Sequence, residues 1–479
     1  MRFIGNAPVD GEVRAIASGA LATGDTVVVN ADGTVSVVSG NDQAAGSPVV
    51  FEAATIYNIA ITYDSNTEKI VVAYRDLGNS GRGTAAVGTV SGTSISFGTP
   101  VVFESGDITD TTCTYDTDQQ KVVISYGNDS NSGYGTAVVG TVSGTSISFG
   151  TAVVFESGST TFTGSVYESN AQKVVISYRD GGNSSFGTAV VGTVSGTSIS
   201  FGTPVVFESA ATFYTSATFD SNANKVVIAY KDNGNSYYGT AIVGTVSGTA
   251  ISFGSAAVFE SANSSYVSAT FDSNSNKVVI AYQDGGNSDY GTAIVGTVSG
   301  TSISFGTAAV FESAAIGGSS VVFDSNSSKV VIAYSDSGNS NYGTIATGAV
   351  SGTSISFDAP FVYETVASAL TRAVYNDSAQ AVVVAYVKTG SSNHGTSTVY
   401  KNASTNITSE NFVGFANSGY ADGQSAAINS TCSVDKNQSG LTAGETYYVQ
   451  TDGTLGTTPA DPSVVAGTAI SSKSIIVKG

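Results

Sequence analysis

Side chains capable of catalysis are few in this sequence, and the pattern does not bring a reactive set together. His394 is the only histidine, and no partner that would make it a general base is in view. Arg75 and Arg179 share one position of a repeat in which other copies carry lysine, glutamine or serine. We therefore predict no catalytic residues and a protein that is not an enzyme.

One recurrent loop is rich in oxygen atoms but poor in carboxylates. The sequences DSNANK and DSNSNK lack the density of acidic side chains that a calcium loop needs. Asx turns, in which an aspartate accepts hydrogen bonds from the backbone that follows it, explain these loops better. We predict neither a metal site nor a cofactor.

A second recurrent loop, DxGNSxY, is loosely similar to the D-x-G-x-T-W Asp-box turn of sialidase-type propellers. The Asp-box is a structural turn, so the resemblance implies a feature of the fold and not a reaction. A sialidase also needs several convergent arginines, an acid and a tyrosine nucleophile, and the repeat positions show no such set.

A repeat of 52 residues organises the chain. A strand-centre tyrosine marks its copies at Tyr74, Tyr126, Tyr178, Tyr230, Tyr282, Tyr334 and Tyr386. Each copy reads as four strands separated by turn residues, and the second strand, KVVIAY, lacks alternation and should be buried on both faces. A fixed period of this length is typical of solenoids, propellers and arrays. We predict an all-β fold with a seven-bladed β-propeller of four-stranded blades.

The phase of the repeat predicts how the ring closes. Fourth-strand sequence, SPVVFE at residues 47–52, precedes the first complete copy, and the last copy ends after its third strand near Tyr400. Residues 48–52 should therefore pair with residues 395–400, which removes an open sheet edge. The glutamate that ends the fourth strand in every copy is interpreted as bonding to the backbone of a neighbouring blade.

The two chain ends resemble each other. The hairpin pattern around Asp32 and Gly33 is repeated around Asp452 and Gly453, and DGEVRAI near the N-terminus is similar to DGQSAAI near the C-terminus. We predict a small β module formed by both ends, residues 1–40 and 409–479, beside a propeller of residues 41–408. The strand order predicts that both connections leave the propeller on the face opposite the loops after strands two and four.

Composition excludes several classes of function. The net charge is −19, which argues against binding to a nucleic-acid backbone. No basic and apolar leader is visible in the first 30 residues, and no apolar run approaches membrane-spanning length. Cys113 stands where other copies have alanine or valine, so we expect a buried small residue and no disulfide with Cys432.

The last 70 or so residues, from NFVGFANSGYADGQSAAI to VVAGTAISSKSIIVKG, resemble the C-terminal module of tail-fibre-like structural proteins of marine bacteriophages, including those that infect cyanobacteria. The resemblance implies a peripheral virion protein that is made in the host cytoplasm and released by lysis. Its implied partners are other virion proteins or sister subunits, bound through the terminal module.

Variation among the copies indicates a ligand site. The loops after strands two and four differ between copies, whereas VSGTS at the other ends of the blades hardly changes. Aromatic side chains offer flat apolar faces to sugars, and those that do not recur on the variable face are Tyr57, Phe162, Phe213, Tyr214, Tyr237 and Tyr266. We predict a virion protein that binds a host-surface glycan or receptor through them, with Tyr214, Tyr237 and Tyr266 foremost. The alternative is a decoration or fibre protein with no ligand.

Overall fold

The computed structural model describes residues 11–460 and 462–478. Residues 1–10, the start of the predicted N-terminal segment, lie outside this range. The chain divides into two compact units. The larger is Ala44–Lys401, and the smaller combines the described residues on either side of it. Residues 41–43 and 402–408, which we had placed in the propeller, therefore belong to the smaller unit, here called the terminal unit. No helix among the described residues has the length and apolarity to cross a membrane.

Each repeat of the larger unit supplies four kinds of strand. The first, 16 residues long and here called the crossing strand, is Val49–Asp64, Val101–Asp116, Val153–Glu168, Val205–Asp220, Ala257–Asp272, Ala309–Asp324 and Phe361–Asn376. The second strands are Lys69–Asp76, Lys121–Asn128, Lys173–Asp180, Lys225–Asp232, Lys277–Asp284, Lys329–Asp336 and Ala381–Lys388.

The third strands are Arg82–Ser91, Tyr134–Ser143, Phe186–Ser195, Tyr238–Ser247, Tyr290–Ser299, Tyr342–Ser351 and His394–Lys401. The short outer strands are Ser94–Phe97, Ser146–Phe149, Ser198–Phe201, Ala250–Phe253, Ser302–Phe305, Ser354–Phe357 and Ala44–Ala45. One-turn 3-10 helices follow five second strands, at Leu77–Asn79, Asp129–Asn131, Asn233–Asn235, Ser337–Asn339 and Thr389–Ser391.

The antiparallel strands that one repeat supplies are here called a set. A crossing strand belongs to two neighbouring sets. The first half of Val205–Asp220 pairs with the third strand before it, with Val205 opposite Ala189, and the second half pairs with the second strand after it, with Phe219 opposite Val226. The sequence AATFYTS, residues 210–216, had been assigned to a loop after the fourth strand. That assignment is wrong, because Ala211 pairs with the strand on one side and Thr212, Phe213 and Ser216 pair with the strand on the other. Only a bulge at Tyr214 interrupts the strand.

The ring closes as the repeat phase predicted. Val49 and Val50 pair with Ser397 and Thr396 of the last third strand. Ala44–Ala45 supplies the short outer strand beside Tyr400. The all-β fold and its closure by the N-terminal strand are therefore confirmed, and the strands form a continuous hydrogen-bonded ring.

One contact, which every repeat makes, holds neighbouring sets together. In it a tyrosine packs against an aromatic ring and donates a hydrogen bond to a glutamate. The Tyr282 ring lies 5.2 Å from that of Phe259 on the crossing strand before it, and its hydroxyl donates a 3.0 Å hydrogen bond to Glu260. The same tyrosine-to-glutamate bond recurs at 2.8–3.2 Å around the ring. The glutamate thus bonds a neighbouring side chain, where we had expected neighbouring backbone.

Sequence features of the repeat follow from this packing. A Cβ atom at Gly239 would lie 2.3 Å from the Phe259 ring, so only glycine fits there. Val226, Val227 and the rest of their second strand up to Tyr230 are buried, as the unbroken apolar run predicted. Asp220 accepts backbone hydrogen bonds from Asn222 and Ala223 at 3.0 and 2.8 Å, which confirms the Asx turn.

The terminal unit contains two five-stranded sheets and a strand pair. One sheet has the order Glu12–Ile16, Ser425–Asn429, Phe412–Ala416, Thr26–Val29, Val35–Val37. The other has the order Val434–Asp435, Ser474–Val477, Val464–Ser471, Thr446–Val449, Leu455–Gly456. Gly40–Asn41 pairs with Ser404–Thr405.

The two hairpins predicted from the similarity of the chain ends have matching turns. Asp32 and Asp452 each accept a 2.9 Å hydrogen bond from the backbone of the threonine two residues on. Gly33 and Gly453 have φ of +83° and +87°, a conformation that glycine adopts without strain. Both chain ends therefore build one small β module, as expected from their similarity.

Ring closure by the N-terminal strand predicts the effect of Phe51→Ala. Phe51 packs 5.3 Å from Tyr74, as Phe311 packs 5.2 Å from Tyr334 in the middle of the chain. Because both rings fill the same kind of contact, alanine at either should cost about 3–5 kcal/mol of unfolding free energy. Urea denaturation of the two variants measures it. A Phe51→Ala variant as stable as wild type, beside a strongly destabilised Phe311→Ala, would contradict closure.

Buried carboxyls predict a protein that becomes more stable on mild acidification. Burial raises the pKa of Glu208, Glu260, Glu312, Asp76, Asp180, Asp232 and Asp336. The folded chain therefore holds protons that the unfolded chain, with ordinary values near 4, has released. The stabilising contribution of these carboxyls is complete below the pKa of the unfolded chain and is lost as pH rises through the pKa of the folded chain. The urea midpoint should therefore be higher at pH 5 than at pH 7.

Glutamine variants separate this effect from general charge repulsion. Glu260→Gln with Glu312→Gln should shrink the difference between the two pH values. The control, Asp118→Asn with Asp289→Asn, removes the same charge from exposed positions and should shrink it less. Equal changes in both pairs would show that net charge alone controls the pH dependence.

Candidate functional site at the central cavity

The second halves of the crossing strands surround a cavity of about 830 Å³, to which every repeat contributes. Small hydroxyl side chains join successive crossing strands from Val101–Asp116 to Phe361–Asn376. The Ser216 hydroxyl accepts from Ala269 N at 3.0 Å, and the Ser268 hydroxyl accepts from Val321 N at 3.1 Å. The Ser319 hydroxyl donates to the carbonyl of Tyr266 at 2.5 Å. These bonds fix the inner strands at the positions that face the cavity.

Each crossing strand has a bulge at the same place. The pairing register shifts there, for example between Phe213 and Ser216. The bulge residues have φ between +44° and +52°, and they are Asn58, Asp110, Phe162, Tyr214, Tyr266, Gly318 and Leu370. All seven line the cavity. The scaffold therefore imposes one backbone conformation and leaves the identity of the side chain open.

Three successive bulges carry aromatic residues that suit this conformation poorly. Glycine, asparagine and aspartate adopt positive φ readily, whereas bulky side chains rarely do. Phe162, Tyr214 and Tyr266 nonetheless occupy it in consecutive repeats. Each costs on the order of 1 kcal/mol of backbone strain, and strain of this kind concentrates at functional sites.

These rings belong to a group here called the aromatic–cation strip. It comprises Phe162, Phe213, Tyr214, Tyr237 and Tyr266 with Arg179 and Lys231. Phe162 contacts Phe213 and Tyr214 with ring centroids 5.2 and 5.4 Å apart, and Tyr214 lies 5.3 Å from Tyr266. Edge and tilted contacts of this kind hold the rings in place relative to one another.

Two cations complete the strip. The guanidinium carbon of Arg179 lies 4.7 Å from the centroid of Phe213. Lys231 Nζ lies 5.0 Å from the centroid of Tyr237 and 5.8 Å from that of Tyr214. Burial lowers the pKa of Lys231. Cation–π contacts orient both side chains without neutralising them.

The structure brings five of the six predicted ligand-binding aromatics together. Tyr57 is the exception, since none of its contacts involves the other five rings and it pairs with Arg75 in the first repeat. Tyr237 is exposed as expected, but Tyr214 and Tyr266 are half-buried against each other, because the bulge turns their rings along the strip.

The cations were not predicted as part of the site. Arg179 had been considered only as a catalytic group, and Lys231 only as its substitute at that repeat position. The signal was available, since the position holds Arg75, Gly127, Arg179, Lys231, Gln283, Ser335 and Val387 in turn and so varies as much as the bulge does.

Two other cations of the ring interact with carboxylates. Arg75 is held by Asp107 through bonds of 2.8 and 2.7 Å, and this pairing keeps the pKa of Asp107 below its usual range. Burial raises the pKa of Asp110 and lowers that of Arg372, which interact electrostatically. Among the residues that the structure describes, no three His, Cys, Asp or Glu side chains are grouped so as to hold a metal ion.

Comparison with known proteins identifies the fold. No protein-family model and no curated protein matches the chain. The chain is similar to the BP39L lectin from Burkholderia pseudomallei, with 12% identity and a TM-score of 0.50, over 72% of this chain and 98% of the lectin. A chain of a mitotic checkpoint complex has 8% identity and a TM-score of 0.50, over 75% and 91%. These identities show the fold alone, and the strand ring is accordingly β-propeller-like.

A third similar structure is a polysaccharide lyase of family PL25, an ulvan lyase. It has 13% identity and a TM-score of 0.45, and the likeness covers 75% of this chain and 98% of the lyase.

Strain at the bulge predicts an unusual response to Tyr266→Asn. Asparagine relieves about 1 kcal/mol of strain and loses the ring contact with Tyr214, so the free energy of unfolding should change by less than about 1 kcal/mol. Phe259→Ala, a buried ring in the same strand with ordinary φ, should cost about 3–5 kcal/mol. Denaturation curves of both variants test this, and similar losses would show that Tyr266 is a core residue.

Proposed function

We propose that this protein binds a carbohydrate through the aromatic–cation strip and does not cleave it. The observation that carries the proposal is the strip itself, in which Phe162, Tyr214 and Tyr266 are held at strained bulges beside an open cavity. Ring faces cover the apolar faces of sugars, while hydroxyls and cations bind their polar groups. Fold similarity to a lectin supports the proposal without assigning a sugar.

The cost of the strip argues for selection on binding. At a position that favours glycine, three neighbouring aromatics are a poor choice for stability alone. Natural proteins keep such strained residues where they serve function, at a cost in overall stability. Binding of a ligand by several rings from different repeats gives these residues a role that packing does not.

We further propose that the protein is a peripheral bacteriophage virion protein, a tail fibre or capsid fibre that attaches to a glycan on the host surface. Support comes from the resemblance of the last 70 or so residues to tail-fibre-like proteins. The terminal unit, built from both chain ends, would then contact other virion proteins or sister subunits. Mass spectrometry of purified phage particles should therefore identify this chain among their proteins.

A structural role without ligand is the second candidate, and one observation favours it. The outer halves of the crossing strands expose one valine per repeat, at Val50, Val102, Val154, Val206, Val258, Val310 and Val362. A band of exposed apolar side chains is suited to contacts with neighbouring subunits of a particle.

Substitution of the strip tests carbohydrate binding. Tyr214→Ala, Tyr237→Ala and Tyr266→Ala together should weaken binding to the glycans that the wild type selects on an array by at least about tenfold, as expected for aromatic hot spots. Tyr57→Ala is the matched control, because Tyr57 is exposed and aromatic but lies outside the strip, and its binding should stay at the wild-type level.

Two outcomes would count against this function. A folded triple variant with unchanged binding would move the site away from the strip. A wild-type protein that binds no glycan, yet coats particles in fixed stoichiometry, would favour the structural role.

A further inference from the structure

The strip carries positive charge in a strongly acidic protein. The chain has a net charge of −19, with 18 Lys and Arg against 37 Asp and Glu. Ion pairs within the described part of the chain involve Arg14, Arg75, Lys329 and Lys388. Arg179 and Lys231 form none of these pairs, and their printed contacts are with aromatic rings and, for Lys231, with the Ser265 hydroxyl at 3.4 Å.

Nearby acids are engaged elsewhere. Asp180 and Asp232 follow the two cations directly in sequence, and each accepts hydrogen bonds from the backbone of its own turn at 2.8–3.2 Å. Asp110 interacts electrostatically with Arg179 but forms no salt bridge with it, and burial favours its neutral form. The positive charge at the strip is therefore not cancelled by its surroundings.

The repeat provides an internal comparison. Arg75 occupies the position of Arg179 and Lys231 in the first repeat, where Asp107 neutralises it. The equivalent position in the fifth repeat is Gln283, whose side chain donates to the carbonyl of Ile316 at 2.6 Å. The scaffold therefore accepts a neutral residue or a paired cation at this repeat position. Arg179 and Lys231, the cations at this position that form no ion pair among the described residues, are the ones beside the aromatic rings.

We propose that the ligand is an acidic polysaccharide, whose carboxylate or sulfate groups bind Arg179 and Lys231 while its sugar rings lie against the aromatic strip. This inference rests on the proposed carbohydrate binding and assigns the class of sugar. Arginine and lysine form charge-assisted hydrogen bonds with such anions, and these bonds are stronger where rings exclude water. The rings supply the contact area, and the cations select charged sugars over neutral ones.

The acidic character of the rest of the surface adds to this selectivity. The net charge of −19 opposes non-specific binding of an anionic polymer, so binding needs local cations such as Arg179 and Lys231. Binding should accordingly weaken with ionic strength.

The test uses the full-length protein on an array of carboxylated, sulfated and neutral glycans, with pairs that share a backbone. We expect the carboxylated or sulfated members to bind and their neutral counterparts to bind more weakly. The replacements Arg179→Gln with Lys231→Gln should weaken binding to the acidic glycans by at least about tenfold. Gln283 shows that glutamine fits this position, so the variant should fold.

The control is Lys173→Gln with Lys225→Gln. These lysines begin the two second strands near whose ends Arg179 and Lys231 lie, so the control removes the same charge from the same strands at the opposite end. Its binding should change less than about twofold at moderate salt. Soluble polyglutamate is a second control, because it carries carboxylates without sugar rings and should compete poorly.

The outcomes separate the two levels of the proposal. Binding to neutral glycans that survives Arg179→Gln with Lys231→Gln but not the triple tyrosine replacement would overturn the acidic ligand and leave carbohydrate binding intact. Equal loss in the charge variant and its control, or effective competition by polyglutamate, would overturn a specific acidic site. Absence of binding to every glycan would overturn both proposals.

Discussion

The contact between neighbouring sets of strands is the constraint on which the structure depends. In every repeat a buried tyrosine packs against an aromatic ring of the preceding crossing strand and donates its hydroxyl to the glutamate that follows that ring. Burial beside the glutamate raises the pKa of Tyr282 and its equivalents, so the hydroxyl remains a donor. The bond satisfies two polar groups that would otherwise be costly to bury. The copy that Phe51 and Glu52 make with Tyr74 joins the first set of strands to the last, because the N-terminal strand also pairs with His394–Lys401.

A scaffold that repeats this contact leaves the inner strands free to vary. The bulges at Asp110, Phe162 and Tyr266 accept hydrogen bonds from a serine or threonine of the next crossing strand, and the same positive φ recurs in all seven crossing strands, so the backbone does not depend on the residue it carries. Asn58, Gly318 and Leu370 occupy the same conformation as Tyr214. The same geometry can therefore display different side chains around one cavity. In this chain three consecutive bulges are aromatic, and the rings meet because neighbouring crossing strands lie side by side.

Charge follows the same division between scaffold and site. The second strands begin with a lysine in six of the seven copies, and this residue is part of the repeated pattern. The cations near their other ends are not repeated. Arg75 and Lys388 have acidic partners there, whereas Arg179 and Lys231 form no ion pair among the described residues. Two cations without an ion pair thus lie beside the aromatic side chains, in a molecule with a net charge of −19. This coincidence connects the geometry of the site with the chemistry of the ligand that we propose.

The period and phase of the repeat determined the all-β fold, the strand order, the buried second strand and the closing strand, because each is a property of one repeat and its neighbour in sequence. Variation among copies also indicated which aromatic residues are candidates for ligand binding. Only the tertiary structure decided that the variable segment is a continuous strand and that glutamate bonds tyrosine in the next set. It also separated Tyr57 from Phe213, which occupy the same repeat position. Phe213 meets Phe162 and Arg179, which belong to the preceding repeat. Such contacts depend on how closely the ring of strands brings together residues that are about 50 positions apart in sequence. No local sequence pattern encodes that distance.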